Sequence, residues 1–322
     1  MACATVIAVA CPPPETAMPL ALPRLLLPLL PVASLLLAAC ATGGGFPPPV
    51  PASPRVADAP GETLDGDAVF ARTLAAHGGD LRRHPGDINL STDGRWYALI
   101  QRIQPLVSDS GFRIRSQERY RPADGLYVVD HDGPEGRKRV VRRADGLSIA
   151  YNGRPNEDAA RRSATAMTND AFRMFHFGPS WFIDRVARWR RLDDATEAGR
   201  VYRRIAGVAV PGFGDAQRDD LVLWVDRETD RLYRIHMSLD GFETTQGAHV
   251  DTTFLDYREV GGYLFPVRFH ERVRGPLRID AHTWWVTGLD MDRGWQAADA
   301  AGEAFTGAAA PAAKALDVPA SP

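Results

Sequence analysis

The chain has 322 residues, a formal net charge of −2, 45% hydrophobic and 24% charged residues. That length suits one large domain or two small ones, and a charge this near zero excludes a global pull toward nucleic acid or anionic membrane. The cysteines Cys3, Cys11 and Cys40 all precede the part that can fold, which excludes a disulfide or a Cys-based metal site in the main domain.

Arg24 is followed by the apolar run Leu25 to Ala39, about 15 residues broken by Pro28 and Pro31. A spanning helix needs roughly 20 residues. A basic residue, an apolar core and small residues before a cut site describe a secretory signal over residues 1–39. Met18 is an alternative start, which would make residues 1–17 an overrun. The run closes on Leu37-Ala38-Ala39-Cys40. Those residues resemble the lipobox of bacterial lipoproteins, which implies acylation of Cys40, palmitate included, and a membrane anchor of several chains. The residue after the cysteine is Ala41 rather than Asp, so the same resemblance implies the outer membrane, facing the periplasm. Residues 40–66 are rich in Gly, Pro, Ala and Ser and read as a flexible tether.

The folded domain is read over residues 67–295. "DAVFARTLAAHGG" is a short helix, with Asp67 as its cap and Gly78 as its left-handed end. His77 lies in its last turn, where a structural role is the plain reading. Strand-like runs follow: Arg95–Ile103, Phe112–Arg121, Gly125–His131, Arg137–Arg143 and Gly146–Gly153. Asp-Gly and Ser-Gly pairs separate them, the turn chemistry of hairpins, so the pattern is an antiparallel meander. A helical insertion is expected over Thr168–Leu192, capped by Thr168 or Asn169, broken near Gly178 and restarted at Pro179. Strands resume at Arg200–Val210, Asp220–Thr229, Arg231–Leu239, Ala248–Val273 and Leu277–Met291. Pro266 removes a ladder donor and points to an edge or a bulge. The count is ten or eleven strands, and the segment 296–322 reads as a disordered tail.

The series "LVLWVDRETDRLYRIHM", "TTFLDYREVGGYLFPVRF" and "HTWWVTGLDM", with the "AHGG" helix end before the first strand, resembles the LolA/LolB-like group of periplasmic proteins and their outer-membrane lipoprotein-sorting relatives. The resemblance spans about residues 67–292. It implies a mainly β, α+β fold: an unclosed antiparallel β-barrel with a short N-terminal helix and a central helical insertion covering the concave face. It also implies a cavity for acyl chains or another hydrophobic ligand. Two departures stand out. An anchored Cys40 fits a tethered acceptor rather than a free carrier, and "FRIRSQERYR" carries more arginine than lipid binding requires.

No HExxH, GxSxG or P-loop pattern is present, so no catalytic residue, cofactor or metal site is assigned. His249, His270 and His282 lie on neighbouring predicted strands and could meet only if their faces agree. Asp226, Glu228 and Asp230 lack the spacing of a calcium loop and read as a solvated turn. Arg113, Arg115, Arg119 and Arg121 fall at alternate positions, which would make one strand face basic. That face reads either as a seat for phosphate or carboxylate head groups or as a solvated surface paired with acids. Trp96, Trp181, Phe182, Trp224 and Trp285 are candidate cavity-lining residues, and each is equally a core residue. Trp284 and Trp285 cannot line one cavity, because adjacent strand residues face opposite sides. The expected function is therefore that of a monomeric, lipid-anchored, non-enzymatic binding protein for a hydrophobic or amphipathic envelope ligand, with no nucleic acid partner. The alternatives are an envelope hydrolase, or a sensor or scaffold using the basic face.

Overall fold

The computed structural model describes residues 64–301. The expected signal segment, Cys40, nearly all of the expected tether and the chain beyond residue 301 lie outside them. Within them run β1 (Ile88–Trp96), β2 (Arg115–Arg121), β3 (Leu126–Gly133), β4 (Gly136–Arg143), β5 (Gly146–Tyr151), β6 (Arg154–Pro155), β7 (Arg190–Glu197), β8 (Arg200–Ala209), β9 (Asp219–Asp226), β10 (Leu232–Ser238), β11 (His249–Val260), β12 (Tyr263–Gly275) and β13 (Ile279–Met291). The α-helices are α1 (Gly66–Ala76), α2 (Ala98–Ile103), α3 (Pro105–Ser108) and α4 (Ala159–Phe177).

All 13 strands form one antiparallel sheet, in the order β6-β5-β4-β3-β2-β1-β13-β12-β11-β10-β9-β8-β7. The end strands do not pair with each other, so the barrel is unclosed. Two meanders, β1–β6 and β7–β13, are joined through α4, and β13 returns to pair with β1. The edge at β5 is blunted: the Arg162 guanidinium donates to the Leu147 carbonyl at 2.8 Å, and the Asn156 N–H to that of Ile149 at 2.8 Å.

The fold class matches the sequence reading, with local corrections. The strand count exceeds ten or eleven because β6 has two residues and β7, "RRLDDATE", lacks an apolar period. The expected strand Arg95–Ile103 is instead the end of β1 followed by α2. Ala98-Leu99-Ile100-Gln101-Arg102 are mostly good helix formers, and their propensity wins once the sheet ends at Trp96. The α1 cap is Asp65, whose carboxylate accepts from the Ala68 N–H, while Asp67 accepts from the Trp189 N–H. The central helix starts at Ala159, capped by Asp158, rather than at Thr168. Its first turns carry small and charged residues, which conceal the apolar face. The second piece is a 3-10 turn over Gly178–Phe182. Pro266 sits on an interior strand, beside the β11–β12 register shifts and outside the stretch where β12 pairs with β13. Residues 292–301 cross the convex face. Trp295 packs with Leu126, Val128 and Val141, and Ala297–Ala301 form a 3-10 turn, so the first residues assigned to the tail are ordered.

One apolar core fills the concave side. It runs from Ile88, Leu90 and Val140 through Phe269 and Trp284 to Leu223 and Ile235, roofed by α4, α1 and the 3-10 turn.

Candidate functional site

Strand alternation decides which side chains meet α4. On β2 the inward residues are Ser116, Glu118 and Tyr120; on β3 they include Tyr127, Val129 and His131; on β4, Lys138 and Val140. Glu118 is 2% exposed and His176 of α4 is 0% exposed. The Trp284 indole N–H donates to His176 Nε2 at 2.9 Å. An indole nitrogen can only donate, so Nε2 is the acceptor and His176 carries its proton on Nδ1. That Nδ1–H donates to Glu118 Oε2 at 2.8 Å. Tyr127 and Ser116 also donate to Glu118, and Thr92 donates to Ser116. Burial pushes the Glu118 carboxyl up, but His176 and the two hydroxyls together hold it below the usual carboxylate range. Both His176 nitrogens are engaged, so this Glu–His pair has no free nitrogen with which to take a substrate proton.

Beside it lies a second knot. Lys138, 1% exposed, donates to Asp109 Oδ2 at 2.7 Å and to Thr165 Oγ1 of α4 at 2.9 Å. Tyr151 donates to the same carboxylate at 2.7 Å. Asp109 has a left-handed backbone, φ 42°, at the end of α3, a costly conformation for a non-glycine residue. Burial lowers the Lys138 ammonium to about 8 despite the nearby Asp109. A third tie to the helix joins Arg142 to Asp170 at 2.9 Å. Among these groups is a cavity of about 10 Å³, lined by Arg113, Glu118, His131, Lys138, Asn169 and Phe172. It has room for about one water.

The remaining polar groups are less well served. Arg113 is 6% exposed and donates to the Val107 carbonyl at 2.6 Å. Its guanidinium lies 5.2 Å from the Trp96 ring and 4.9 Å from the Phe172 ring, and no carboxylate among the described residues pairs with it. His282 is buried and stacked between Trp96 at 3.9 Å and Trp284 at 4.7 Å, and neither ring nitrogen has a hydrogen-bond partner. Burial first, then Arg113 and His176, holds it well below the usual histidine range, so it is neutral. Glu271 faces His282 across β12–β13, and burial raises its carboxyl to about 7.

The expected site residues are scattered. Trp96 lies at this polar centre, where its indole N–H holds the Arg113 carbonyl at 2.8 Å. Trp181 stacks on Phe213 at 4.8 Å, and Phe182, 0% exposed, packs edge-on to Trp189; both belong to the apolar core. Trp224 is half-buried on the convex face between Arg204 and Arg234, and Trp285 is half-buried on the face opposite Trp284. The arginines do not form one basic face. Arg113 precedes β2, so strand alternation does not govern it, and it turns inward. Arg115 pairs with Asp132 at 2.9 Å and Arg121 with Asp124 at 2.6 Å. Arg119, 0% exposed, donates to the Glu118 carbonyl at 2.9 Å.

The histidines do not converge. His249 meets His236 at 3.0 Å, His270 meets Asp280 at 2.9 Å, and His282 faces inward. Among the described residues no group of three or more His, Cys, Asp or Glu is arranged to hold a metal. Glu118, Lys138, Glu271 and His176 were missed. The first three had a signal: each is a charged residue in the apolar phase of its strand, in step with Tyr120, Val140 and Phe269 respectively.

No family model and no curated protein matches this sequence. Among solved structures, the chain is similar to a LolA superfamily protein from Nitrosomonas europaea (10% identity, 70% of this chain and 93% of that one, TM-score 0.42). It is also similar to an outer membrane lipoprotein-sorting protein domain from Vibrio parahaemolyticus (10% identity, 73% and 96%, TM-score 0.42). A third likeness is to a DUF1329 family protein from Desulfovibrio piger (12% identity, 72% and 95%, TM-score 0.45).

Proposed function

We propose that this chain is a lipid-anchored, non-catalytic binding protein of the cell envelope, facing the periplasm from the outer membrane. Its ligand is amphipathic and occupies the space between the concave face and α4. The observation that carries this reading is the way α4 is held. It spans the mouth of an unclosed sheet and is tied down through side chains, His176 to Glu118, Asp170 to Arg142 and Thr165 to Lys138, around an internal cavity. Such ties can break and re-form as a unit, giving a two-position cover. With the helix down, the face is filled by side chains. Binding therefore requires the helix, or the short helices α2 and α3 beside it, to move.

The lipobox residues Leu37 to Cys40 support the anchor. The engaged state of His176 supports binding over hydrolysis, since the best-placed base is already satisfied on both nitrogens.

The test is mass spectrometry of an organic extract of the purified chain, with titration of a fluorescent fatty acid. About one amphiphile per chain, or saturable binding of the probe, is the expected result. A clean extract with no probe binding at micromolar protein would sink the reading. The anchor is tested separately: palmitate label should enter the wild type and be lost in Cys40→Ala.

A further inference from the structure

The buried guanidinium of Arg113 presents five N–H donors, and only the Val107 carbonyl among the described residues accepts from it. Taking such a cation out of water without a carboxylate partner is costly. Elsewhere in the same interior the cost is offset: Lys138 has Asp109, and Arg142 has Asp170. Arg113 alone in this interior sits between aromatic rings with no carboxylate in ion-pair contact; Asp109, already bonded to Lys138 and Tyr151, acts on it only through space. Glu271 makes no ion pair with it among the described residues, and burial raises its carboxyl to about 7. Beside Arg113, and sharing the Trp96 and Phe172 rings with it, is His282, whose two nitrogens are also without partners. A buried cation with a single acceptor, beside a buried imidazole with no partner at either nitrogen, calls for an explanation.

Their surroundings define what would satisfy them. The walls are Trp96, Phe172 and Trp284, and Trp284 stacks on Phe269 at 4.6 Å at the start of the apolar core. A bare inorganic anion would lose its water here and gain little from such walls. An anion carrying a hydrocarbon chain would place each part against a matching surface. The cover over Arg113 is made of two short helices, α2 and α3. α2 is tied through Gln101 to the Trp96 carbonyl at 2.9 Å and to Ser110 at 2.8 Å, Gln104 exchanges two bonds with Thr244, and Arg113 holds Val107. The firmest tie is at the far end of α3, where Asp109 takes Lys138 and Tyr151. The outer side of α2 carries Leu99 and Ile103, four residues apart and 47% and 41% exposed.

We propose that Arg113, assisted by His282, receives the carboxylate or phosphate head of a single-chain amphiphile between Trp96 and Phe172, the head replacing the Val107 carbonyl as α2 and α3 lift. This rests on the binding function proposed above and names the class of its ligand.

The experiment is displacement of a fluorescent fatty acid from the full chain at pH 7.5 by four competitors: dodecanoic acid, dodecyl phosphate, methyl dodecanoate and inorganic phosphate. A charge-assisted pair at a dry site predicts the acid and dodecyl phosphate to bind at least about 10-fold more tightly than the ester. Arg113→Met should bring acid and ester to within about 2-fold, and Arg113→Lys should retain part of the preference. Equal binding of acid and ester by the wild type overturns the head-group site while leaving a binding protein. Failure of every amphiphile overturns both. Displacement by inorganic phosphate as effective as by dodecyl phosphate overturns the amphiphile in favour of a free oxyanion. The acid-to-ester ratio of the wild type decides the matter even where Arg113→Met fails to fold.

Discussion

Beneath α1 and the 3-10 turn, strands β8 to β11 present Ile205, Leu221, Leu223, Ile235, Met237 and Phe254 to the core, and the charged groups at that rim, Arg203 and Asp219, are hydrogen-bonded. Beneath α4, the strands from β4 through β1 to β12 present Lys138, His131, Glu118, His282 and Glu271 in the same phase as Val140, Leu90 and Phe269. One sheet and one helical layer thus enclose a dry apolar half and a polar half. Burial alone cannot explain the second, since hydrophobic residues of similar volume would hold the sheet to the helices at least as well. Within the polar half a further division appears. Glu118, His176, Lys138 and Asp109 are served, whereas Arg113, His282 and Glu271 are not. The served groups hold α4 in place; the others are what a ligand would find.

The largest expected effect breaks the polar half. Glu118→Ala strands the Nδ1–H of His176 and the hydroxyls of Tyr127 and Ser116, all three of which donate to that carboxylate. Breaking a buried, hydrogen-bonded pair costs about 3–5 kcal/mol, to be read from urea unfolding. Glu118→Gln, which keeps the shape and one acceptor, should lose less. Equal, small losses in both variants would show that the knot contributes little.

In the apolar half, Leu223→Ala should cost about 3 kcal/mol, the sum of lost transfer energy and a residual cavity. Leu223 is 0% exposed, belongs to the apolar core and lies between Ile205 and Ile235 in the sheet. Its acid-to-ester preference should equal that of the wild type. A change in preference would show that the two halves are coupled, and the division drawn above would fail.

Glu271→Gln sharpens the comparison through pH. Burial raises the Glu271 carboxyl from an ordinary 4.5 to about 7, so between those values the folded state binds more protons than the unfolded one. Stability from this group is fully present below about 4.5 and is lost as pH rises through 7. The glutamine variant should therefore match the wild type near pH 4 and exceed it at pH 8, by roughly 3 kcal/mol at most. His77 acts in the opposite sense: burial lowers it from 6.5 to about 4, so its contribution is present above 6.5 and is lost as pH falls toward 4. Comparing variant with wild type at each pH cancels His77 and isolates Glu271. A difference independent of pH would mean that Glu271 is ionised and paired in the folded protein.

Much of the architecture was legible because turns and alternation are local. Asp124-Gly125, Asp145-Gly146 and Gly261-Gly262 mark turns between paired strands directly, whereas Asp93-Gly94, expected as a turn, lies inside β1. The phase of β4 or β12 can be read from Val140 or Phe269 alone. What was illegible depends on partners far along the chain. The first turns of α4, "AARRSATA", show no apolar stripe: Ala159 and Ala160 are exposed, and burial begins only at Ala164. Arg113 belongs to an apparent stripe with Arg115, Arg119 and Arg121, but β2 begins only at Arg115, so the phase breaks just before it. Glu118 and Lys138 sit in strands crowded with charge, "RSQERYR" and "GRKRVVRR", and their inward phase shows only against the neighbouring strands.

The smallest expected effect on stability belongs to Arg113→Met, and it tests the division most directly. A paired arginine is costly to remove: Arg234, 5% exposed and bidentate to Glu197, would leave that carboxylate without its partner. Arg113 leaves only the Val107 carbonyl behind. The loss of that bond and of contact with Trp96 and Phe172 amounts to about 1–2 kcal/mol. Removing a cation whose burial already lowers its proton affinity offsets a similar amount. Methionine fills most of the same volume, so the net change should lie within about 1 kcal/mol of zero or be stabilising. A loss of 3 kcal/mol or more would place Arg113 with Glu118 and Lys138 among the groups that hold the helix. An unchanged or higher unfolding midpoint, together with loss of the acid-to-ester preference, would identify a residue kept for its ligand at the expense of the fold.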